Sequence, residues 1–141
     1  MSTLNQLPLL DAAVPAVADL EMPVIYTYTR AQALEDGVLV DVSELAREAG
    51  FVWPVALTTA VWALVEDIPR RYRAWQTVEG RLYDVLWMAY CAIRGADHSG
   101  TELLYTLLLD HGRRHYLTLK LVTGPGDHGE PVVTIMLPDE S

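Results

Sequence analysis

Cysteine is nearly absent from the sequence, which contains Cys91 and no other. A single thiol cannot form an internal disulfide, and this favours a reducing compartment over a disulfide-stapled secreted fold. Long apolar runs are also missing, because none approaches the roughly 18 residues that a membrane span needs. No Lys or Arg precedes Arg30, so the apolar start lacks the basic head of a signal peptide. The sequence therefore predicts a soluble, cytoplasmic protein without a membrane partner.

Positive charge is scarce, since 10 Lys and Arg face 19 Asp and Glu for a net charge of −9. The charge is uneven: residues 1–69 carry −8, residues 70–120 carry +3 and residues 121–141 carry −4. An acidic field repels phosphate backbones, which argues against direct nucleic-acid binding. The exception would be a small basic cluster made of Arg70, Arg71, Arg73 and Arg81. The same field would attract a basic surface on another protein.

One folded domain is expected from 141 residues of which 51% are apolar and 21% charged. Residues 1–23 contain three prolines among small apolar residues, and prolines at that spacing interrupt any helix. We therefore expect a loose N-terminal arm over residues 1–23 and a single α+β domain over residues 24–138.

Two short helices are predicted after a first strand at residues 24–28. Thr29 begins a T-x-x-Q capping box, and Gly37 supplies the left-handed residue that a helix end prefers. Asp41 begins a D-x-x-E cap, and Gly50 supplies the second stop. Thr29 and Asp41 are therefore given architectural roles.

Two longer helices follow. The first begins near Thr58 or Thr59 and closes by Pro69. The second, roughly residues 75–94, repeats apolar residues at three- and four-residue steps, which is typical of a face buried against a core. A second stripe on this helix contains Tyr83, Trp87 and Tyr90. Core packing is the default expectation for the four tryptophans and for Cys91.

From residue 103 onward the apolar period changes to two. Three runs, at residues 103–109, 115–121 and 132–137, each have one apolar face and one face with a threonine at its middle. The connection after Asp110 reads as a tight hairpin turn. The predicted fold class is α+β, with a three- to four-stranded antiparallel sheet covered on one face by about four helices.

The segment GPGDHG at residues 124–129 matches the letters of the dinucleotide fingerprint. That motif requires a strand before it and a helix after it, whereas a strand follows here, so a hairpin loop is the better interpretation. Asp127 and His128 could form an acid–base pair if this loop folds onto a pocket.

No metal or cofactor is predicted. His111 and His115 have H-x-x-x-H spacing, but that spacing places two ligands on one face only in a helix, and this segment reads as a hairpin. No nucleophile-elbow, Walker or zincin pattern occurs in the sequence.

Four runs carry a resemblance that spans about residues 24–138: VIYTYTRAQALEDGVLVDVSELAREAGF, WPVALTTAVWALVED, GRLYDVLWMA and GPGDHGEPVVTIMLP. In this order they resemble a family of small, functionally uncharacterised proteins carried largely on bacterial plasmids and other mobile elements. The family has no assigned activity, so it implies no catalytic residue. The resemblance implies an accessory protein that helps a mobile element persist, including inhibitors of host defence such as anti-CRISPR proteins.

Three functional hypotheses follow. The first is a non-enzymatic interaction protein that binds a basic surface of a host protein, such as a nucleic-acid-binding protein, through five acids: Glu35, Asp36, Asp41, Glu44 and Glu48. The second is a small enzyme acting on a nucleotide-like ligand, with candidate residues Tyr26, Tyr28, Arg30, Asp127 and His128. The third is a homodimer built on Tyr83, Trp87 and Tyr90.

Overall fold

The computed structural model describes residues 28–96, 100–110 and 115–141. This part of the chain folds into five strands and four α-helices with one 3-10 turn. In chain order they are α1 (Arg30–Glu35), β1 (Leu39–Asp41), α2 (Ser43–Ala49), β2 (Val55–Thr58), α3 (Thr59–Glu66), the 3-10 turn (Arg70–Tyr72), α4 (Val78–Gly95), β3 (Glu102–Asp110), β4 (His115–Pro125) and β5 (Pro131–Met136). The predicted arm at residues 1–23, most of the predicted first strand and the turn after Asp110 lie outside the described residues.

The strands form one sheet in the order β1-β2-β5-β4-β3. β5 runs antiparallel to β4 but parallel to β2, with Leu57 opposite Ile135. The α+β class is confirmed, whereas the expected three- to four-stranded antiparallel sheet is wrong, because the sheet has five strands and is mixed. The two strands that were not predicted are β1, which has three residues, and β2, a short interior strand whose burial shows no apolar–polar alternation. The parallel pairing of β2 with β5 makes the sheet mixed.

The period of two predicted in the last three strands is confirmed. Alternate residues such as Leu107, Leu119 and Ile135 are buried in the core. The residues between them face the other way, and the hydroxyls of Thr106 and Thr118 lie 3.2 Å apart at paired positions. Apolar residues of α2, α3 and α4 complete the core on the face of the sheet that carries these buried strand residues, which we call the first face.

The residues expected to cap the helix starts do so in α1 and α3, but not in α2. Thr29 forms the full capping box with Gln32 at the start of α1, and the hydroxyl of Thr58 accepts a hydrogen bond from the amide of Val61 in α3. α2 departs from the prediction, because its N-cap residue is Val42 and not Asp41. Asp41 acts one residue earlier, and its Oδ1 accepts hydrogen bonds from the amide and the hydroxyl of Ser43.

Several residues expected in the core lie at the surface. Trp53, Trp75, Trp87 and Cys91 are all exposed. Trp75 reaches 68% exposure. No helix among the described residues is both long enough and apolar enough to cross a membrane.

The expected basic cluster does not include Arg81, because this residue is buried. It is 5% exposed, so it cannot join Arg70, Arg71 and Arg73 at the surface. Its guanidinium donates to the carbonyls of α3's last turn, to that of Asp67 just beyond it and to that of Leu109. Arg81 thereby satisfies carbonyls that the end of a helix leaves without partners.

Candidate functional site

The first helix and the loop between β4 and β5 meet in space. The carboxylate of Asp127 accepts hydrogen bonds from the amide of Arg30 at 2.7 Å and from the amide of Ala31 at 2.9 Å. These amides belong to the first turn of α1, which has no intrahelical acceptors for them. Asp127 therefore supplements the Thr29 cap from a loop almost one hundred residues away.

The side chain of Arg30 crosses to the second face of the sheet, the face opposite the helices α2–α4. Its Nη1 donates to the hydroxyl of Thr134 at 2.8 Å, and its Nη2 donates to the carbonyl of Val133 at 2.9 Å. Burial lowers the pKa of Arg30, and the charges of nearby carboxylates, with Asp127 the strongest, oppose that shift. Arg30 therefore ties α1 to β5.

A cavity of about 390 Å³ opens between α1, the start of β2 and the loop before β5. Apolar and polar side chains share its wall. The polar members are Arg30, Asp41, Ser43, Asp127, His128 and Glu130. The cavity therefore joins the first acidic segment of the chain to the loop at residues 126–130.

The polar groups of this cavity are held by structural hydrogen bonds. Both oxygens of Asp127 bind α1 amides, Asp41 binds Ser43, and Oε1 of Glu130 accepts from the amide of His128 at 2.9 Å. Three carboxylates stand against one guanidinium that already donates to β5. This balance disfavours a phosphate group and favours a cation such as an ammonium or guanidinium.

Five exposed carboxylates lie on β1, an edge strand of the sheet in the described residues, and on the two helices that flank it in the chain. We call this surface the acidic edge. It consists of Glu35, Asp36, Asp41, Glu44 and Glu48, and every one of them is exposed. The hydroxyl of Tyr28 donates to Oδ2 of Asp36 at 2.7 Å, and this hydrogen bond raises the pKa of Tyr28.

The structure brings together part of the catalytic set expected from sequence. Arg30, Asp127 and His128 line the cavity, whereas Tyr28 is exposed and is not part of its wall. Tyr26 lies outside the described residues. Sequence reasoning missed Ser43 and Glu130 in the wall.

Glu130 follows the GPGDHG segment directly, so its membership of the same loop was available as a signal. Ser43 gave no such signal, because its place depends on β2, to which it is bonded through the amide of Val55 at 3.0 Å.

Within the described ranges, no group of three or more His, Cys, Asp or Glu side chains is placed to hold a metal ion. The side chains of His111 and His115, which have the H-x-x-x-H spacing, lie outside the described part of the structure. The wall of the cavity offers carboxylates, but these are committed to amide and hydroxyl donors.

Comparison with known proteins bears on most of the chain. No curated protein and no solved structure is significantly similar to it. The sequence profile of a family of unknown function, DUF6573, matches residues 20–141. This match spans both segments that build the cavity and every strand of the sheet. The chain therefore belongs to DUF6573, a family of unknown function.

Proposed function

We propose that this protein is a non-enzymatic interaction protein whose acidic edge binds a basic surface of another protein. The observation that carries the proposal is the exposure of all five carboxylates, which lie within residues 35–48 on an edge strand of the described sheet and its two flanking helices. α1 and α2 flank β1 in the chain. α1 begins with a full capping box, and Asp41 accepts a hydrogen bond from the amide of Ser43 at the start of α2. A fixed array of like charges raises the rate at which an oppositely charged partner docks.

The cavity next to the acidic edge supports the same interpretation. Asp41 belongs to both the edge and the cavity wall, and Asp127 and Glu130 add two more carboxylates at the same place. A lysine or arginine of the partner would find complementary charge there. The catalytic alternative has fewer free groups, because Asp127 and Arg30 are committed to backbone and hydroxyl partners.

The class of partner follows from charge. A nucleic-acid-binding protein presents a basic groove, and an acidic surface can occupy that groove in place of the phosphate backbone. Together with the sequence resemblance to proteins of mobile elements, this favours antagonism of a host nucleic-acid-binding or defence protein, as anti-CRISPR proteins do.

Two matched variants test the proposal. The edge variant carries Glu35→Gln, Asp36→Asn, Glu44→Gln and Glu48→Gln. The control variant neutralises four exposed acids elsewhere, namely Glu66, Asp67, Glu102 and Asp139. Both lose the same number of charges from a net charge of −9, so they separate the position of the charges from their number.

The assay is capture of proteins from a nuclease-treated host lysate, followed by a direct affinity measurement on the captured partner. We expect the edge variant to lose a partner that the wild type and the control variant retain, and we expect that partner to be basic. Identical partner sets for the edge and control variants would end the proposal.

A second candidate function is a small enzyme that uses the cavity. The observation that favours it is the convergence of Arg30, Asp127 and His128 on one wall. The test is thermal unfolding with a panel of nucleotides, using His128→Ala because His128 is exposed and its loss spares the core. A saturable rise in melting temperature that the variant abolishes would support this candidate. No rise with any nucleotide would remove it.

A further inference from the structure

One side of α4 carries a line of large side chains in which Tyr83 and Tyr90 are partly buried against the core and the other members are exposed. We call it the α4 stripe. Its members are Glu79, Tyr83, Trp87, Tyr90 and Arg94. Their spacing of four, four, three and four residues places them on one face of a helix. The apolar centre of this face is therefore bounded by an acid at the first turn and a base at the last.

The aromatic centre of the stripe is pre-organised. The rings of Tyr83 and Trp87 stack with centroids 6.4 Å apart, and Trp87 stacks on Tyr90 at 6.0 Å. The ring of Tyr90 packs edge-on against the ring of Phe51, with centroids 5.7 Å apart. The hydroxyl of Tyr90 accepts a hydrogen bond from the guanidinium of Arg94 at 3.0 Å. Rings held in this way lose little conformational freedom on binding.

The stripe is also open to solvent. Trp87 is 44% exposed, although tryptophan is the side chain with most to gain from burial. Cys91, four residues after Trp87, is exposed beside it. Tryptophan and tyrosine are the residues that most often dominate protein interfaces.

We propose that the α4 stripe is the interface of a two-fold homodimer in which the two copies of α4 run antiparallel. In this arrangement Glu79 of each copy meets Arg94 of the other, Tyr83 meets Tyr90, and the two Trp87 rings lie near the axis. A parallel arrangement would bring like charges together at both ends. The charge order of the stripe therefore selects a second copy in the antiparallel orientation.

The α4 stripe and the acidic edge share no residue, because none of the five edge acids belongs to α4. A dimer would present two acidic edges at once. Binding of a partner with two basic sites would then gain from effective concentration, without any new contact at the edge itself.

The first experiment is sedimentation velocity over a range of protein concentrations. We expect the mass to rise from the 15.7 kDa monomer towards twice that value. Trp87→Ala is expected to raise the dimer Kd about tenfold or more, because it removes the central hot spot. Trp75→Ala is the matched control, since Trp75 is more exposed than Trp87 and lies before α4.

The second experiment uses charge reversal. Glu79→Arg alone and Arg94→Glu alone each place like charges at both ends of the interface, so both variants are expected to stay monomeric at concentrations where the wild type dimerises. An equimolar mixture of the two restores opposite charges at both ends. We expect this mixture to form heterodimers about as stable as the wild-type dimer. Parallel pairing predicts instead that each single variant associates no worse than the wild type, because the wild type would already place like charges at both ends.

Cys91 provides a distance check because the chain has no other thiol. If the two-fold axis of the dimer passes between residues 86 and 87, the two Cys91 positions lie about 13 Å apart along the direction of the helices. When the distance between the two helix axes is included, their total separation is about 16 Å. A long bismaleimide should therefore cross-link the dimer, and direct disulfide formation should not occur.

A mass that stays at the monomer value at every concentration would overturn the proposal. Equal effects of Trp87→Ala and Trp75→Ala, or a mixture of charge variants that fails to associate while the wild type dimerises, would also overturn it. Circular dichroism of each variant checks that the fold is retained. Loss of the dimer leaves capture by the acidic edge measurable, so the two proposals can fail independently.

Discussion

The buried guanidinium of Arg81 is expected to be the side chain outside the apolar core that contributes most to stability, and Arg81→Met tests this. Arg81 donates at 2.9 Å to the carbonyl of Val65, at 3.2 Å to that of Leu109 and at 3.1 Å to the side-chain oxygen of Gln76. These three acceptors are buried. Two further acceptors, the carbonyls of Leu64 and Asp67, are partly buried and can be hydrated.

The magnitude follows from the acceptors left behind. Each buried acceptor that loses its donor costs about 1–3 kcal/mol. Three such acceptors, with some relaxation, give a loss of about 3–6 kcal/mol in the free energy of unfolding. Native domains are stable by about 5–15 kcal/mol, so Arg81→Met should leave the protein close to its unfolding threshold. Arg81→Lys should recover part of the loss, because an ammonium can reach some of these acceptors but not all of them.

The assay is urea unfolding followed by tryptophan fluorescence and circular dichroism. Arg70→Met is the matched control, because Arg70 lies on the exposed 3-10 turn of the same connection. We expect the control to change the free energy of unfolding by less than about 0.5 kcal/mol. A loss below about 1 kcal/mol in Arg81→Met, or equal losses in the two variants, would refute the reasoning.

Three further predictions concern single positions. Burial raises the pKa of Tyr105 above its usual value of 10.0, so its contribution to stability is present below that pH and is lost as pH rises beyond it. Tyr105→Phe should therefore flatten the fall in melting temperature between neutral and strongly alkaline pH. An unchanged fall would contradict this. Asp127→Ala should weaken the first helix by about 0.5–2 kcal/mol, because it removes both acceptors of the Arg30 and Ala31 amides. The effect should be seen as faster amide exchange confined to that helix, and unchanged exchange there would count against the cap. Gly50→Ala should lower the melting temperature more than Gly37→Ala. Both positions have positive φ, but of the two only a Cβ at Gly50 would meet the Tyr90 ring, at 2.7 Å. Equal losses of melting temperature in the two variants would contradict the clash.

Local signals in the sequence were enough to predict most of the helices and the last three strands. The capping residues Thr29 and Thr58 mark helix starts because their hydroxyls replace missing acceptors within the same turn. The last three strands could be predicted because apolar residues recur at every second position along one face of each strand. Each of these signals depends on neighbours within a few residues.

The missed features depend on contacts between distant parts of the chain. β2 has a parallel partner almost eighty residues away, and its four residues carry no alternation that would mark it as a strand. Asp127 looked like loop decoration because the amides it caps lie on α1. The cavity wall could not be assembled from sequence for the same reason.

Arg81 is a different case, because its position could have been read from spacing. It follows Val78 by three residues and precedes Val85 by four, so it lies on the buried stripe of α4. Its charge and its proximity in sequence to Arg70, Arg71 and Arg73 favoured a surface cluster instead. Periodicity was the better guide here, because an arginine can be buried when carbonyl oxygens surround it.

The order of strands has a consequence for biosynthesis. β5 follows the other four strands of the described sheet in the chain, and it joins the β1–β2 pair to the β3–β4 pair. Until residues 131–136 have been synthesised, the two pairs of strands lack the strand that joins them by backbone hydrogen bonds. Quality-control proteases and chaperones would therefore meet an incomplete product whenever translation stops early. Premature termination anywhere upstream of β5 should yield fragments that are degraded, not partially active ones.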